Sequence, residues 1–262
     1  LLQNALFNKE NITDVRYRES LCHHNPVMKA LFFLRHYNDI DHVTPVIYKW
    51  IQSGHQCDVV LIGSPKFRRD FRVQYLSQLP GVRVAHIREL LSWMDYIKWR
   101  LQMLLLTRNV RRIKIIGPLV TKIAERFDEK EREPLWRHTA ELLLDRSFGD
   151  YNHGVLAFDW IERNSVICVE WVEVVVAMAK NRSLGTVSLP HGDSPHASQL
   201  IRRGERFKEP DATFSAATIF DRVVVPNELC AVRFRPFMAE NQLAVLGSPR
   251  YCEEWLKILA GL

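Results

Sequence analysis

The apolar positions of this chain fall into two rhythms. Short uninterrupted runs alternate with longer stretches in which apolar residues recur every three or four places. Continuous runs suit strands buried on both faces of a parallel sheet, and the wider spacing suits helices with one buried stripe. Residues 27–34 (Val-Met-Lys-Ala-Leu-Phe-Phe-Leu) read as the first buried strand, followed by a polar loop at 35–41. A helix is expected over 42–53, with Val43, Val46, Ile47 and Trp50 on one face and Gly54 as its stop. A second strand (57–62), a second helix (67–79) and a third strand (82–87) follow.

The middle of the chain, about 88–150, reads as a helical insertion with helices over 89–106 and 128–145. The strand–helix alternation then resumes: strand 155–160, helix 169–180, strand 186–189, strand 222–226, helix 228–236, strand 243–246 and a short helix 252–259. Repeated β-α units of this kind predict right-handed parallel crossovers. The fold class is therefore α/β, a Rossmann-like, doubly wound, mainly parallel sheet with helices on both faces. The expected division is a lead-in at 1–26, one domain over 27–250, and the start of a linker to a second domain at 251–262.

One junction carries more chemistry than the others. At 185–196 (Gly-Thr-Val-Ser-Leu-Pro-His-Gly-Asp-Ser-Pro-His) a buried strand ends at Pro190, and the loop beyond it holds His191, Asp193 and His196. In open parallel sheets ligands bind outside the carboxyl ends of the strands, where this loop belongs. A histidine there can move a proton near neutral pH, and a carboxylate can orient it. The plainer alternatives are that His191 only hydrogen-bonds its loop and that Asp193 only shapes a turn with Ser194 and Pro195.

Composition narrows the field modestly. The chain has 262 residues, a net charge of +6 and a pI near 9.1, which suits an anionic partner. Its five cysteines are scattered and form no C-x-x-C pair, so neither a disulfide framework nor a zinc site is indicated. No metal is expected. Neither a G-x-G-x-x-G nor a Walker phosphate loop occurs, and no nucleic-acid-binding module is recognisable. Residues 1–18 are polar and mixed in charge, unlike a secretory signal.

Two stretches carry a family resemblance. Residues 32–60 (Phe-Phe-Leu-Arg-His-Tyr-Asn-Asp-Ile-Asp-His-Val-Thr-Pro-Val-Ile-Tyr-Lys-Trp-Ile-Gln-Ser-Gly-His-Gln-Cys-Asp-Val-Val) resemble the opening of GT-B glycosyltransferases, with matches at His42, Pro45, Gly54 and His55. Ile40 and Asp41 stand where that family has glycines. The second stretch joins Pro190-His191-Gly192, residues 220–227 and Leu246-Gly247-Ser248-Pro249-Arg250. It resembles the acceptor-side domain of CDP-glycerol glycerophosphotransferases and related surface-polysaccharide glycosyltransferases.

This resemblance implies the amino-terminal, acceptor-binding half of a nucleotide-dependent transferase, inactive by itself, acting in cell-surface polysaccharide synthesis. It implies no cofactor in this chain, with the nucleotide-activated donor bound by a second domain. It also implies a carbohydrate or lipid-linked acceptor, and a cytoplasmic place at the inner face of a membrane. In that setting His191 and His42 are the candidate bases, Asp39, Asp41 and Asp193 are candidate orienters or hydroxyl ligands, and Arg35 is a candidate phosphate contact. The competing assignments are an N-cap for Asp41 and a solvated loop charge for Arg35. Two other functions share the architecture: a non-catalytic sugar- or phosphate-binding module, and half of a sugar-nucleotide 2-epimerase.

A last pattern concerns that membrane. On a helix Trp93, Ile97, Leu101 and Leu104 share a face, and a basic series follows with Arg108, Arg111 and Arg112, unrelieved by acids. The face either packs on the sheet or docks on an anionic lipid surface with the help of those charges.

Overall fold

The computed structural model describes residues 27–106, 117–126, 129–149, 153–159, 169–190 and 212–262. The strands are β1 (Lys29–Leu34), β2 (Gln56–Leu61), β3 (Val82–His86), β4 (Gly154–Asp159), β5 (Gly185–Leu189), β6 (Arg222–Val225) and β7 (Leu243–Val245). They form one seven-stranded sheet in the order β3-β2-β1-β4-β5-β6-β7, and every neighbouring pair is parallel. The chain winds outward from β1 in one direction, then returns to β4 and winds outward in the other. The topological switch point therefore lies between β1 and β4.

The helices are α1 (Tyr37–Gln52), α2 (Phe71–Gln78), α3 (Ile87–Leu90), α4 (Trp93–Leu106), α5 (Gly117–Arg126), α6 (Glu129–Phe148), α7 (Val169–Asn181), α8 (Glu228–Phe234) and α9 (Glu253–Gly261). Successive strand residues point to opposite faces, so β1 feeds two cores. Leu31 and Phe33 join Trp99 of α4, Trp136 of α6, Trp171 of α7 and Phe234 of α8. Ala30, Phe32 and Leu34 join Ile40, Val43 and Ile47 of α1 and Leu76 of α2. Burial on both faces explains why β1 reads as an unbroken apolar run. Each fully buried Phe or Leu there contributes about 1.5–3 kcal/mol.

Several boundaries differ from the sequence expectation, each for a local reason. The polar stretch before His42 is largely helix: α1 begins at Tyr37, because the Asp39 carboxylate accepts from the backbone N–H groups of Arg35 (2.6 Å) and His36 (3.1 Å). Its polarity marks the helix start, with Tyr37 on the outside. Asp41 lies inside the helix and is not its N-cap. The helix expected over 67–79 divides into a 3-10 turn (Pro65–Arg69) and α2, because Asp70 caps α2 by accepting from Arg72 N–H at 3.0 Å. The helix expected over 89–106 divides into α3 and α4, and the one expected over 228–236 ends at Phe234, with Pro236 in a 3-10 turn.

After β7 the chain crosses back over the sheet. Trp255 of α9 is buried against Tyr48 of α1 and Tyr75 of α2, with ring centroids 5.8 and 6.1 Å away. Among the described residues no helix is long and apolar enough to cross a membrane.

Candidate functional site

The carboxyl ends of β1 and β4 place two opposite charges side by side. Arg35 follows β1 and donates from Nη2 to Oδ2 of Asp159, the last residue of β4. Its Nε also lies 3.6 Å from Asp39. All three side chains are buried. Buried charge is costly unless paired and hydrogen-bonded, and here each group has an opposite charge beside it. Asp39 thus caps α1, answers the positive end of the helix dipole and pairs with Arg35. Arg35 is a tie between two strand ends and not a solvated loop charge.

The loop after β2 is pressed against the same point. A Cβ on Gly63 would stand 2.0 Å from the Arg35 carbonyl oxygen and 2.5 Å from the Phe67 ring, so only glycine fits. The Gly63 carbonyl accepts from Nε2 of His86 at 3.2 Å, while Nδ1 of His86 accepts from Arg88 N–H at 3.1 Å. These two bonds fix the neutral Nε2–H tautomer. Burial, which outweighs the Gly63 bond, holds the His86 pKa below its ordinary value.

Farther along α1, His42 is buried with Nδ1 3.5 Å from Ser248 Oγ. Its neighbour Asp41 spans two arginines, 2.6 Å from Nη1 of Arg72 and 2.8 Å from Nε of Arg250. Arg72 also grips Asp70 through two bonds of 2.9 and 2.8 Å. Burial would raise the Asp70 pKa, but the Arg72 hydrogen bond and charge prevail and lower it. The two sequence stretches singled out above therefore meet: the one around His42 and Pro45 touches the one around Ser248 and Arg250.

Beside this junction lies a cavity of about 420 Å³. Pro45, Val46 and Trp50 of α1 form one wall, and Leu189, Val224 and Pro249 belong to the others. His55 borders it as well. Its Nδ1 accepts from Met28 N–H at 3.4 Å, and its Nε2 is buried without a hydrogen-bond partner among the described residues. Burial lowers the His55 pKa, so the ring is neutral near pH 7. Lys49, at the same cavity, pairs with Glu254 of α9. A mostly apolar pocket with a few polar groups is suited to a small organic ligand.

Of the residues expected at the site, Arg35, Asp39, Asp41 and His42 lie on the carboxyl-end loop of β1 and the first turns of α1. His191, Asp193 and His196 lie outside the described residues, as do Arg108, Arg111 and Arg112. Pro190, the last described residue before that loop, borders the cavity. The sequence reading missed Asp159 and Ser248. Asp159 carried a readable signal, being the acid that ends an apolar strand (Val-Leu-Ala-Phe-Asp) at the ligand-binding edge of the sheet. Ser248 stood within the quoted Leu246-Gly247-Ser248-Pro249-Arg250 stretch, but its approach to His42 was not readable, because it depends on the return of the chain after β7. Among the described residues no group of three His, Cys, Asp or Glu side chains could hold a metal ion.

No family model matches the chain, and no curated protein matches it. Among solved structures it is similar to the UDP-GlcNAc 2-epimerase from Neisseria meningitidis bound to UDP-GlcNAc, at 8% identity and a TM-score of 0.48 over 89% of this chain and 50% of that one. It is also similar to CalG4, the calicheamicin glycosyltransferase, at 13% identity and a TM-score of 0.43 over 85% of this chain and 53% of that one. The chain spans about half the length of each. Both likenesses are loose, and neither bears on activity.

Proposed function

We propose that this chain is the acceptor-binding half of a GT-B-type transferase, of the glycosyl or glycerophosphoryl kind that builds cell-surface polysaccharide. The observation that carries the reading is the meeting of His42 with Ser248, which brings the two family-like stretches together at one edge of the sheet. In this reading the acceptor enters the cavity beside α1 and extends past Ser248, which borders it, to the imidazole of His42, which takes the proton of its hydroxyl. The acceptor oxygen then forms its bond to the activated sugar or phosphorus as the bond to the departing nucleotide breaks. His191 is the second candidate base. Arg35 and Asp39 act by fixing the start of α1, because their charges are committed to one another and to Asp159.

The test is nucleotide release from sugar-nucleotide and CDP-glycerol donors by the protein that carries this chain, with and without saccharide or glycerol-phosphate acceptors. Acceptor-dependent release is expected, with kcat lowered about 100-fold or more by His42→Gln. The 262-residue chain alone is expected to fold and to release nothing. Acceptor binding with no release from any donor would replace this reading with that of a binding module. Release unaffected by His42→Gln would remove His42 as the base.

A further inference from the structure

Helix α4 is apolar on two faces, and among the described residues one of them is buried and the other exposed. Trp99 and Met103 are buried in the core, with Tyr96 stacked on Trp99 at 6.4 Å and Trp99 edge-on to Trp171 at 5.5 Å. The second face carries Trp93, Met94, Ile97, Leu101 and Leu104, which are 61, 60, 42, 51 and 45% exposed. At 100° per residue these five occupy roughly a third of the helix circumference. Of the two alternatives for this stripe, packing on the sheet therefore fails: Trp99 and Met103, which lie between its members in sequence, do the packing.

Five large apolar side chains in one open stripe are unusual on a protein that meets only water. The residues around the stripe define what it would meet. Lys98 and Arg100 are both exposed and border the arc on its two sides. Arg88 places its guanidinium 5.4 Å from the Trp93 ring centre, adding a third cation at the start of the helix. The acid of the first turn, Asp95, is turned away from the arc and bound to Ser92 Oγ at 2.6 Å and to His138 at 3.4 Å. Leu119, on the neighbouring helix α5, is 60% exposed as well.

We infer that the α4 stripe docks this protein on an anionic lipid surface, with Trp93, Ile97, Leu101 and Leu104 entering the headgroup–acyl boundary. Lys98 and Arg100 lie at the level of the lipid phosphates, where long cationic side chains place their charge while their stems cover apolar surface. Trp93 at the helix start suits the same boundary. A second copy of the chain fits less well. A single helix of 14 residues is about 21 Å long, too short to supply the roughly 800 Å² per partner of a stable interface. The inference does not rest on the transfer reading, and the surface stands whether or not His42 moves a proton.

Co-sedimentation with phosphatidylcholine vesicles, with and without 30% phosphatidylglycerol, tests it. The protein is expected to bind the anionic vesicles, to bind neutral ones at least tenfold more weakly, and to lose affinity as salt is raised. Ile97→Glu with Leu101→Glu should abolish binding at every salt concentration. Lys98→Glu with Arg100→Glu should weaken it at least tenfold and flatten its salt dependence. All four residues are exposed, so both variants should keep the parent's circular dichroism and melting temperature. Failure of the parent chain to bind, or binding by the Ile97/Leu101 variant equal to the parent's, would overturn the inference. So would self-association seen by sedimentation without lipid and lost in that variant, because the stripe would then be a contact between copies.

Discussion

Arg35 and Asp159 close an ion pair across the switch point, joining the end of β1 to the end of β4. The two residues lie far apart in sequence, and the pair is sealed from solvent. Removing one partner leaves the other charged and buried. Asp159→Asn is therefore expected to cost about 3–5 kcal/mol, toward the lower end because Asp39 still faces Arg35. Arg35→Met with Asp159→Leu should recover most of that loss. Urea denaturation of the three proteins measures it. A single variant as stable as the parent would show that the pair does not hold the switch point together.

Asp41 is the clamp between α1, α2 and the turn after β7. Asp41→Asn removes its charge from both Arg72 and Arg250. The Arg250 end is half exposed, so the cost to global stability is expected to be only about 1 kcal/mol. The local effect should be larger, because Arg250 is then released. Trypsin is expected to cut after Arg250 several-fold faster in the variant than in the parent, with cuts elsewhere unchanged.

His55 and His86 both have pKa values lowered by burial, so both are neutral in the folded chain and more easily protonated in the unfolded one. The unfolded state then binds more protons, and stability rises with pH through that window. Their contribution is complete above the ordinary value of 6.5 and is lost as the pH falls from there through the depressed values. Urea midpoints should drop between pH 7.5 and pH 5. His86→Gln should reduce that drop while lowering the midpoint at pH 7.5, because the bonds to Gly63 and Arg88 weaken. Equal pH dependence in parent and variant would assign the titration to other groups.

Gly63→Ala is expected to be among the most damaging single-methyl changes in the chain. The added carbon meets a backbone carbonyl at 2.0 Å, and backbone does not yield as a flexible side chain does. The loop after β2 would have to withdraw from Arg35, breaking its bond to His86. A loss of several kcal/mol is expected, since strain and a lost buried bond act together. Gly54→Ala is the matched control: nothing lies within 4 Å of its Cβ position, and its cost comes from a φ of +82° alone. Thermal melting of both compares them, and a Gly63→Ala melt no lower than that of Gly54→Ala would show the close approach to be unimportant.

Much of the fold was legible because parallel strands buried on both sides leave a coarse signature. Residues 27–34 and 155–160 read as strands from apolar continuity alone, within two residues of the bounds of β1 and β4, and the order of elements then implied the winding. The start of α1 was not legible as helix, because Asp39 caps it from within the first turn while the polar residues ahead of His42 look like loop. The stripe on α4 was legible as a stripe, but its direction was not. Trp99 and Trp93 have the same chemistry, and it is the tertiary packing around Trp99, Trp171 included, that buries one and leaves the other exposed. At the site, His42 was visible because of its neighbours in sequence. Its contact with Ser248 was not, because it forms only after the sheet is complete.

The pairing of β1 also sets a timetable. One edge of this strand meets β2, where Lys29 lies opposite Gln56; the other meets β4, where Lys29 lies opposite Gly154. The first partner is available soon after β1 leaves the ribosome. The second arrives only after the whole helical insertion has been synthesised. In the interval β1 offers a bare edge carrying Phe32 and Phe33, the kind of strand that pairs with other chains. Closing so distant a pair is entropically slow. β1, an interior strand of the finished sheet, is thus an open edge during synthesis, and the helices between β3 and β4 set how long that exposure lasts.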